Sequence, residues 1–568
     1  MALPWLITVI VGFLVLVPVG MLVVASFSAA RLPSDFTWAS LTPDNYATVY
    51  GSPLTYRVMG NTFVYVAGAL SLGLGLSVIF AWLVARSNMP GKWLAYAGLP
   101  LALTIPGMLE SMVWVLLFSP RIGFVNRFLM SLLGLSSAPF SAYSLPAMIV
   151  LEGLRAVPTG FLLLTPLLLR FDPTVEEAAA MAGAPTGTIT RHVTLPLLLP
   201  GLLSIALYLG VTILSSFEVP GILGLPGRVY VFSTLIYSYT SAAASAGGNS
   251  YGAAAALSML YLAINVVGLV IYARVTRNAA RFAVITGRGY RPRLVNLGPF
   301  RWPAAFLLWL HLVVTIAVPV LVLLWTSLTP RILQPSMAAL HQVTAASWLR
   351  LTSNTDLLRA AGTTLLVMVI TATATALMSL FIGWITTRSQ FPGRRLLDQL
   401  AFMSHGLPGV ILGLALIWFW GRFESIPVYG TWAIIVVGFS TGFLAYGTRS
   451  MSATVLQLHR ELEDASSASG ASPLGTMRRV VVPLLLPALT SLWVWVAIQA
   501  LRLVTLPLML QTGPENTVLA SYLWRQWEAG EVGLVAAVGM VMVAAMGAIT
   551  VVAARIGLIS QRASLGAA

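Results

Sequence analysis

Along this chain, long apolar stretches alternate with short polar connections, and most apolar stretches reach about 20 residues, the length that crosses a bilayer as a helix. Twelve can be marked, at 3–28, 58–85, 95–119, 143–169, 196–224, 251–274, 303–328, 359–387, 397–420, 431–455, 483–511 and 532–556. Many contain Gly and Pro, which bundled membrane helices tolerate because neighbouring groups satisfy the freed backbone. The pattern predicts an all-α membrane protein with about 12 transmembrane helices.

Two polar islands interrupt this pattern in the same way, 287 positions apart. The first reads Glu177-Ala178-Ala179, three residues, Gly183, nine residues, then Val193-Thr194-Leu195-Pro196. The second reads Asp464-Ala465-Ser466, three residues, Gly470, nine residues, then Val480-Val481-Val482-Pro483. The likeness extends further. Val17-Pro18-Val19 aligns with Val318-Pro319-Val320, Trp82 and Arg86 with Trp384 and Arg388, and Ile105-Pro106-Gly107 with Leu407-Pro408-Gly409. The offset is 301–302 in these early parts and 287 at the islands, so the first half holds about 15 extra residues, placed in the connection around 120–142. Six spans per half, an even number, make the repeats parallel rather than inverted. The expected division is a first domain at 1–275 with its polar loop at 175–196, an Arg-rich linker at 276–302, and a second domain at 303–568 with its loop at 462–483.

Composition agrees with the pattern: 58% of residues are hydrophobic and 9% charged, against about 25% charged in soluble domains. The net charge of +15 does not point to nucleic acid, because the arginines cluster on alternate connections. Arg86, Arg170, Arg191, Arg274, Arg388, Arg449, Arg478, Arg479 and Arg555 fall on one side, which the positive-inside rule makes cytoplasmic. Both islands and both termini are then cytoplasmic, and the first apolar run, lacking a basic start, reads as a retained helix. Cys is absent, which excludes disulfides and thiolate metal sites. The five histidines stand at no ligand spacing, and no metal site is expected. The single lysine, Lys92, precedes Trp93, so there is no P-loop and no ATPase in these residues.

Each island suits a docking element. Its Ala-rich stretch favours a short helix with small side chains, Glu176 and Glu177 add carboxylates near its start, and Gly183 suits a reversal with positive φ. Charged residues within spans default to functional candidates. These are Glu152 and Arg155, three apart on one helix face and able to pair with each other, Glu218 near the external end of the fifth span, and Arg502 in the eleventh, where the other half has Ser215. Glu110, after the Pro-Gly pair, is a weaker candidate.

The spacing E-A-A, three residues, G, nine residues, aliphatic, any residue, L-P resembles the signature loop of binding-protein-dependent ABC importer permeases. The first copy matches almost throughout; the second has Asp464, Ser466 and Val482 where the signature has Glu, Ala and Leu. The resemblance covers nearly all of both halves and is closest in kind to permeases with both domains fused in one chain, most like the ferric-iron type through Phe217-Glu218-Val219-Pro220-Gly221. It implies the type I ABC importer permease fold, a non-enzymatic chain in the bacterial inner membrane, and coupling helices at Glu176, Glu177, Ala178, Ala179, Gly183, Asp464, Ala465, Ser466 and Gly470. Its implied partners are two copies of a cytoplasmic ABC ATPase, which carry the ATP and Mg, an extracytoplasmic solute-binding protein, and membrane lipid. No cofactor is expected on the chain itself. The implied cargo is ferric iron, free or chelated, with thiamine, phosphonate or polyamine as the alternative. A secondary transporter is the competing class, although nothing in that class calls for two matched loops.

Overall fold

The computed structural model describes residues 2–169, 174–246, 250–279, 294–423, 426 and 428–566. Most of the expected linker, 280–293, lies outside them. The first half contains α1 (Ala2–Ser26), α2 (Pro53–Arg86), α3 (Lys92–Ala102), α4 (Gly107–Phe118), α5 (Phe124–Leu133), α6 (Leu145–Leu169), α7 (Thr174–Met181), α8 (Leu195–Leu214) and α9 (Ser250–Ala279). The second contains α10 (Arg301–Leu312), α11 (Val318–Ser327), α12 (Thr355–Arg388), α13 (Arg394–Met403), α14 (Gly409–Trp420), α15 (Trp432–Gln457), α16 (Glu461–Ala468), α17 (Val482–Arg502) and α18 (Val532–Gly566). Among the described residues the only β pairing is two isolated bridges, Ser28 with Leu41 and Ser87 with Val295.

Every expected span has a helix, but three differ from the straight apolar rod that hydropathy suggests. Two are broken: α3 and α4 meet at 99°, and α13 and α14 at 109°. Each break falls at a proline, Pro106 or Pro408, whose missing N–H and bulky ring oppose a continuous helix. The third, α15, carries Ser440, Thr441, Tyr446, Thr448 and Arg449. Among the described residues nine helices are long and apolar enough to cross a membrane, or 11 when each bent pair counts as one. The polar α15 supplies the twelfth position.

The halves repeat one packing scheme. α2 lies along α6 and α8, and α12 lies in the same way along α15 and α17. In both halves a serine of the long helix nests against a glycine. A Cβ on Gly160 would stand 2.3 Å from Ser77 Oγ, and one on Gly447 2.2 Å from Ser379 Oγ. Small residues permit the close backbone approach from which membrane helices derive their packing attraction, since lipid supplies no hydrophobic drive between them. The first helix of each half also reaches across: α1 packs on α13 and α14 as well as its own α9, while α10 and α11 pack on α3 and α4 as well as α18.

The extra residues of the first half lie where the offset places them. Residues 119–144 join α4 to α6, whereas 421–431 join α14 to α15. The longer connection holds α5, whose Phe128, Leu132 and Leu133 are exposed. The Asn126 amide donates to the carbonyls of Phe118, Ser119 and Phe140 and pins the insert at its root.

Candidate functional site

The two polar islands fold alike. α7 ends at Gly183 with φ +83°, and α16 ends at Gly470 with φ +81°. The Ala184 N–H donates to Ala179 O in one, and the Ala471 N–H to Ser466 O in the other, bridging the glycine as in a Schellman-type cap. A second short helix follows, Thr186–Ile189 or Pro473–Thr476, and then a π turn, Thr190–Thr194 or Met477–Val481. Pro196 and Pro483, in the first turn of the next helix, have no N–H for the carbonyl four residues back, which favours the wider turn there.

Each island is fastened to the long helix of its half by one ion pair. Arg86 Nη1 at the end of α2 stands 3.4 Å from Glu176 Oε2, and Arg388 Nε at the end of α12 stands 3.2 Å from Glu463 Oε1. The four residues occupy equivalent positions in the repeat. The second clamp is reinforced by the Trp384 indole N–H, which donates to Glu463 Oε2 at 3.3 Å. Arg388 Nη2 also donates to the carbonyls of Val455, at 2.8 Å, and Leu458, both at the end of α15. Glu176 is therefore turned onto its own half rather than held out from the loop. Ala178, Asp464 and Ala465 are exposed, as is Met181, and the side chain of Glu177 lies outside the described residues. The second copy also has a bond of its own: Ser466 Oγ and Thr476 Oγ1 share a 2.9 Å hydrogen bond, where the first copy has Ala179 and Ile189.

Between the halves lies a cavity of about 520 Å³. At one end it is lined by Glu152, Arg155, Glu218 and Arg502, and at the other by Tyr272 and Arg449, on the side of the islands. Aromatic rings line the stretch between. Tyr446 stacks on Trp495 at 3.8 Å, and His405 of the second half stacks on Tyr208 of the first at 6.1 Å. Arg449 lies over the Phe402 ring and 3.4 Å from Asp398.

The intramembrane charges converge on Arg155. Its Nε lies 3.0 Å from Glu110 Oε2, its Nη1 3.3 Å from Glu152 Oε2 and its Nη2 3.2 Å from Glu218 Oε2. The expected Glu152–Arg155 pair is thus one arm of a larger cluster, and Glu110 is a full member. Glu218, expected near the external end of the fifth span, is buried: α8 stops at Leu214, and the irregular stretch before Pro220–Gly224 packs inside the bundle. Ser216 donates to Glu152 Oε2 at 3.1 Å. Arg502 stands beside the cluster and donates to Leu103 O, the frayed end of α3, at 2.6 Å, so the second half caps the break of the first. Among the described residues no group of three His, Cys, Asp or Glu is arranged to hold a metal ion. Sequence reasoning missed Glu463 and the aromatic lining; the alignment of Arg86 with Arg388 was the signal for the clamps.

Residues 376–563 match the family described as binding-protein-dependent transport system inner membrane component. The chain is 25% identical over 522 residues to the ferric transport system permease protein FbpB of Actinobacillus pleuropneumoniae, spanning 89% of this chain and 72% of that protein. It is 25% identical over 408 residues to the putative ferric transport system permease protein FbpB 1 of Haemophilus influenzae, spanning 70% of this chain and 61% of that one. A 172-residue stretch, 28% of this chain and 62% of the relative, is 32% identical to the sulfate transport system permease protein CysT of Salmonella typhimurium. The family match thus falls within the second half, on a multi-pass helical bundle with twin loops, and the similarity to ferric transport permeases extends over most of the chain.

Proposed function

We propose that the chain supplies both halves of the membrane pathway of an ATP-driven importer, with two permease domains, 1–275 and 303–568, joined through 276–302. The observation that carries this reading is the pair of islands, alike in build and each clamped to the long helix of its own half. Two copies of a separate ATPase subunit, holding ATP and Mg, seat on these islands from the cytoplasm. Closure of the ATPase pair moves the islands together, the clamps pass the motion to α2 and α12, and the halves rock about the cavity to alternate its access. An extracytoplasmic binding protein delivers the cargo and, like ATP, favours the outward-open state, so each strengthens the action of the other.

The cargo on this reading is ferric iron, free or chelated. Two of the relatives are named for ferric transport, and the buried cluster sets three carboxylates against one central guanidinium, a balance that suits a cation better than sulfate. The test is reconstitution of the chain with its candidate ATPase and binding protein in vesicles, with uptake of ferric citrate as the readout. Replacement of both Glu177 and Asp464 by Ala is expected to abolish ATP-driven uptake. Uptake that survives this change, or a chain that co-purifies with no ATPase, would overturn the reading in favour of a secondary transporter.

A further inference from the structure

The buried cluster holds more acid than an anchor for Arg155 requires. One carboxylate would pair the guanidinium, yet three share it, with side-chain exposures of 6%, 9% and 7%. Counting Arg502, three carboxyl groups face two guanidinium groups. Ionisable groups held in a low-dielectric interior are costly, and inside a membrane they point to function. Two further observations indicate that the place is built to be occupied. Glu218 Oε1 is buried with no hydrogen-bond partner. At the bend between α3 and α4, a Cβ on Gly107 would stand 1.9 Å from Arg155 Nη2 and 2.1 Å from Glu218 Oε2, so only glycine leaves the space that these two groups fill.

We propose that Glu110, Glu152 and Glu218 form a station for a hard, oxygen-seeking cation in transit, and that Arg155 is a tethered stand-in filling it when no cargo is present. The guanidinium behaves as such a cation would, giving one nitrogen to each carboxylate at 3.0–3.3 Å. A multivalent cation takes oxygen ligands at about 2.0–2.6 Å, whereas the carboxylate oxygens lie about 4 Å from the guanidinium carbon, so exchange draws each carboxylate inward by about 1.5–2 Å, within the reach of a glutamate side chain. The displaced guanidinium has somewhere to go, because Arg155 already lines the wall of the 520 Å³ cavity. A tethered occupant also selects by charge: a monovalent ion gains too little from three carboxylates to displace a guanidinium bound by all of them, whereas a multivalent ion gains more.

This inference rests on the import reading for the identity of the cargo, but its chemistry can be tested on the purified chain alone. The probe is Tb³⁺, a hard trivalent ion whose luminescence is sensitised by nearby aromatic side chains such as Trp495 and Tyr208, which line the same cavity. Arg155→Gln is expected to bind Tb³⁺ saturably and about ten-fold or more tightly than the unaltered chain, as removal of a buried countercharge implies. Adding Glu218→Gln should abolish the gain. Should Arg155→Gln fail to fold, Arg155→Lys provides the second variant: its ammonium cannot reach all three carboxylates, and a smaller gain in the same direction is expected. No gain in the variant that folds, or a gain that persists after all three glutamates are changed to Gln, would overturn the proposal. A gain in a chain that binds no ATPase would keep the station and remove the import reading.

Discussion

The twin clamps make the sharpest quantitative demand on the structure. The side chains of Arg388 and Glu463 are 9% and 17% exposed, and those of Arg86 and Glu176 are 6% and 22% exposed. They are too enclosed for the roughly 0–1 kcal/mol of a surface pair. They also fall short of the roughly 3–5 kcal/mol cost of breaking a fully buried one, because Glu463 keeps the Trp384 indole and Arg388 keeps two carbonyls when its partner is lost. The structure therefore implies a coupling of about 1–3 kcal/mol within each pair, the range found for residues in direct contact. The measurement is a double-mutant cycle, Arg388→Gln and Glu463→Gln singly and together, read as ATPase affinity of the chain in nanodiscs and as uptake per ATP. Each single change is expected to weaken uptake about 5- to 150-fold, the equivalent of that energy, while the double mutant loses little more than either. On the import reading, ATP hydrolysis should fall less than uptake, because a loop still docked on the ATPase would lose its grip on α12. Strict additivity, or equal loss of hydrolysis and uptake, would refute the reasoning. The same cycle on Arg86 and Glu176 should give a coupling of similar size.

The bend offers a second test. Gly107→Ala forces Arg155 and Glu218 apart and is expected to cost about 1–3 kcal/mol, seen as a lower melting temperature in detergent. Gly409→Ala, at the equivalent bend, meets only Thr505 Cγ2 at 3.3 Å and should melt near the unaltered chain. Arg502→Met keeps an unbranched apolar stem but leaves Leu103 O without its donor, at a cost of about 1–3 kcal/mol for a charge-assisted bond. Faster hydrogen exchange at 101–106, with that of α17 unchanged, is the expected signature.

Much of this architecture was legible before any coordinates. The offset change located the insert, because an insertion shifts every later alignment by its own length. The island spacing foretold two loops of one build, because the glycine, the short helix and the proline each impose a local geometry. The breaks at Pro106 and Pro408 were less visible, since a hydropathy window averages over a proline. Glu110 and Glu218 could not be brought to Arg155 from sequence, because their meeting depends on a bent helix and an inward turn. Glu463 escaped because the pattern was read from Asp464 onward, and only the fold reveals that the preceding residue faces Arg388.

The crossed packing of the leading helices bears on how the molecule is made. Trp5 of α1 meets Phe391 edge to face at 4.9 Å, Phe13 meets Phe419 at 5.4 Å, and the Phe36 carbonyl accepts from Arg422 Nη1 at 3.0 Å. These partners emerge from the ribosome nearly 400 residues after α1 does. From its own half α1 has α9 and, at its end, Asn45 and Tyr46, which bond Ser26, and its second flank is covered late. The first half therefore cannot reach its final form alone, and a chain truncated before α14 leaves uncovered the flank of α1 that meets Phe419.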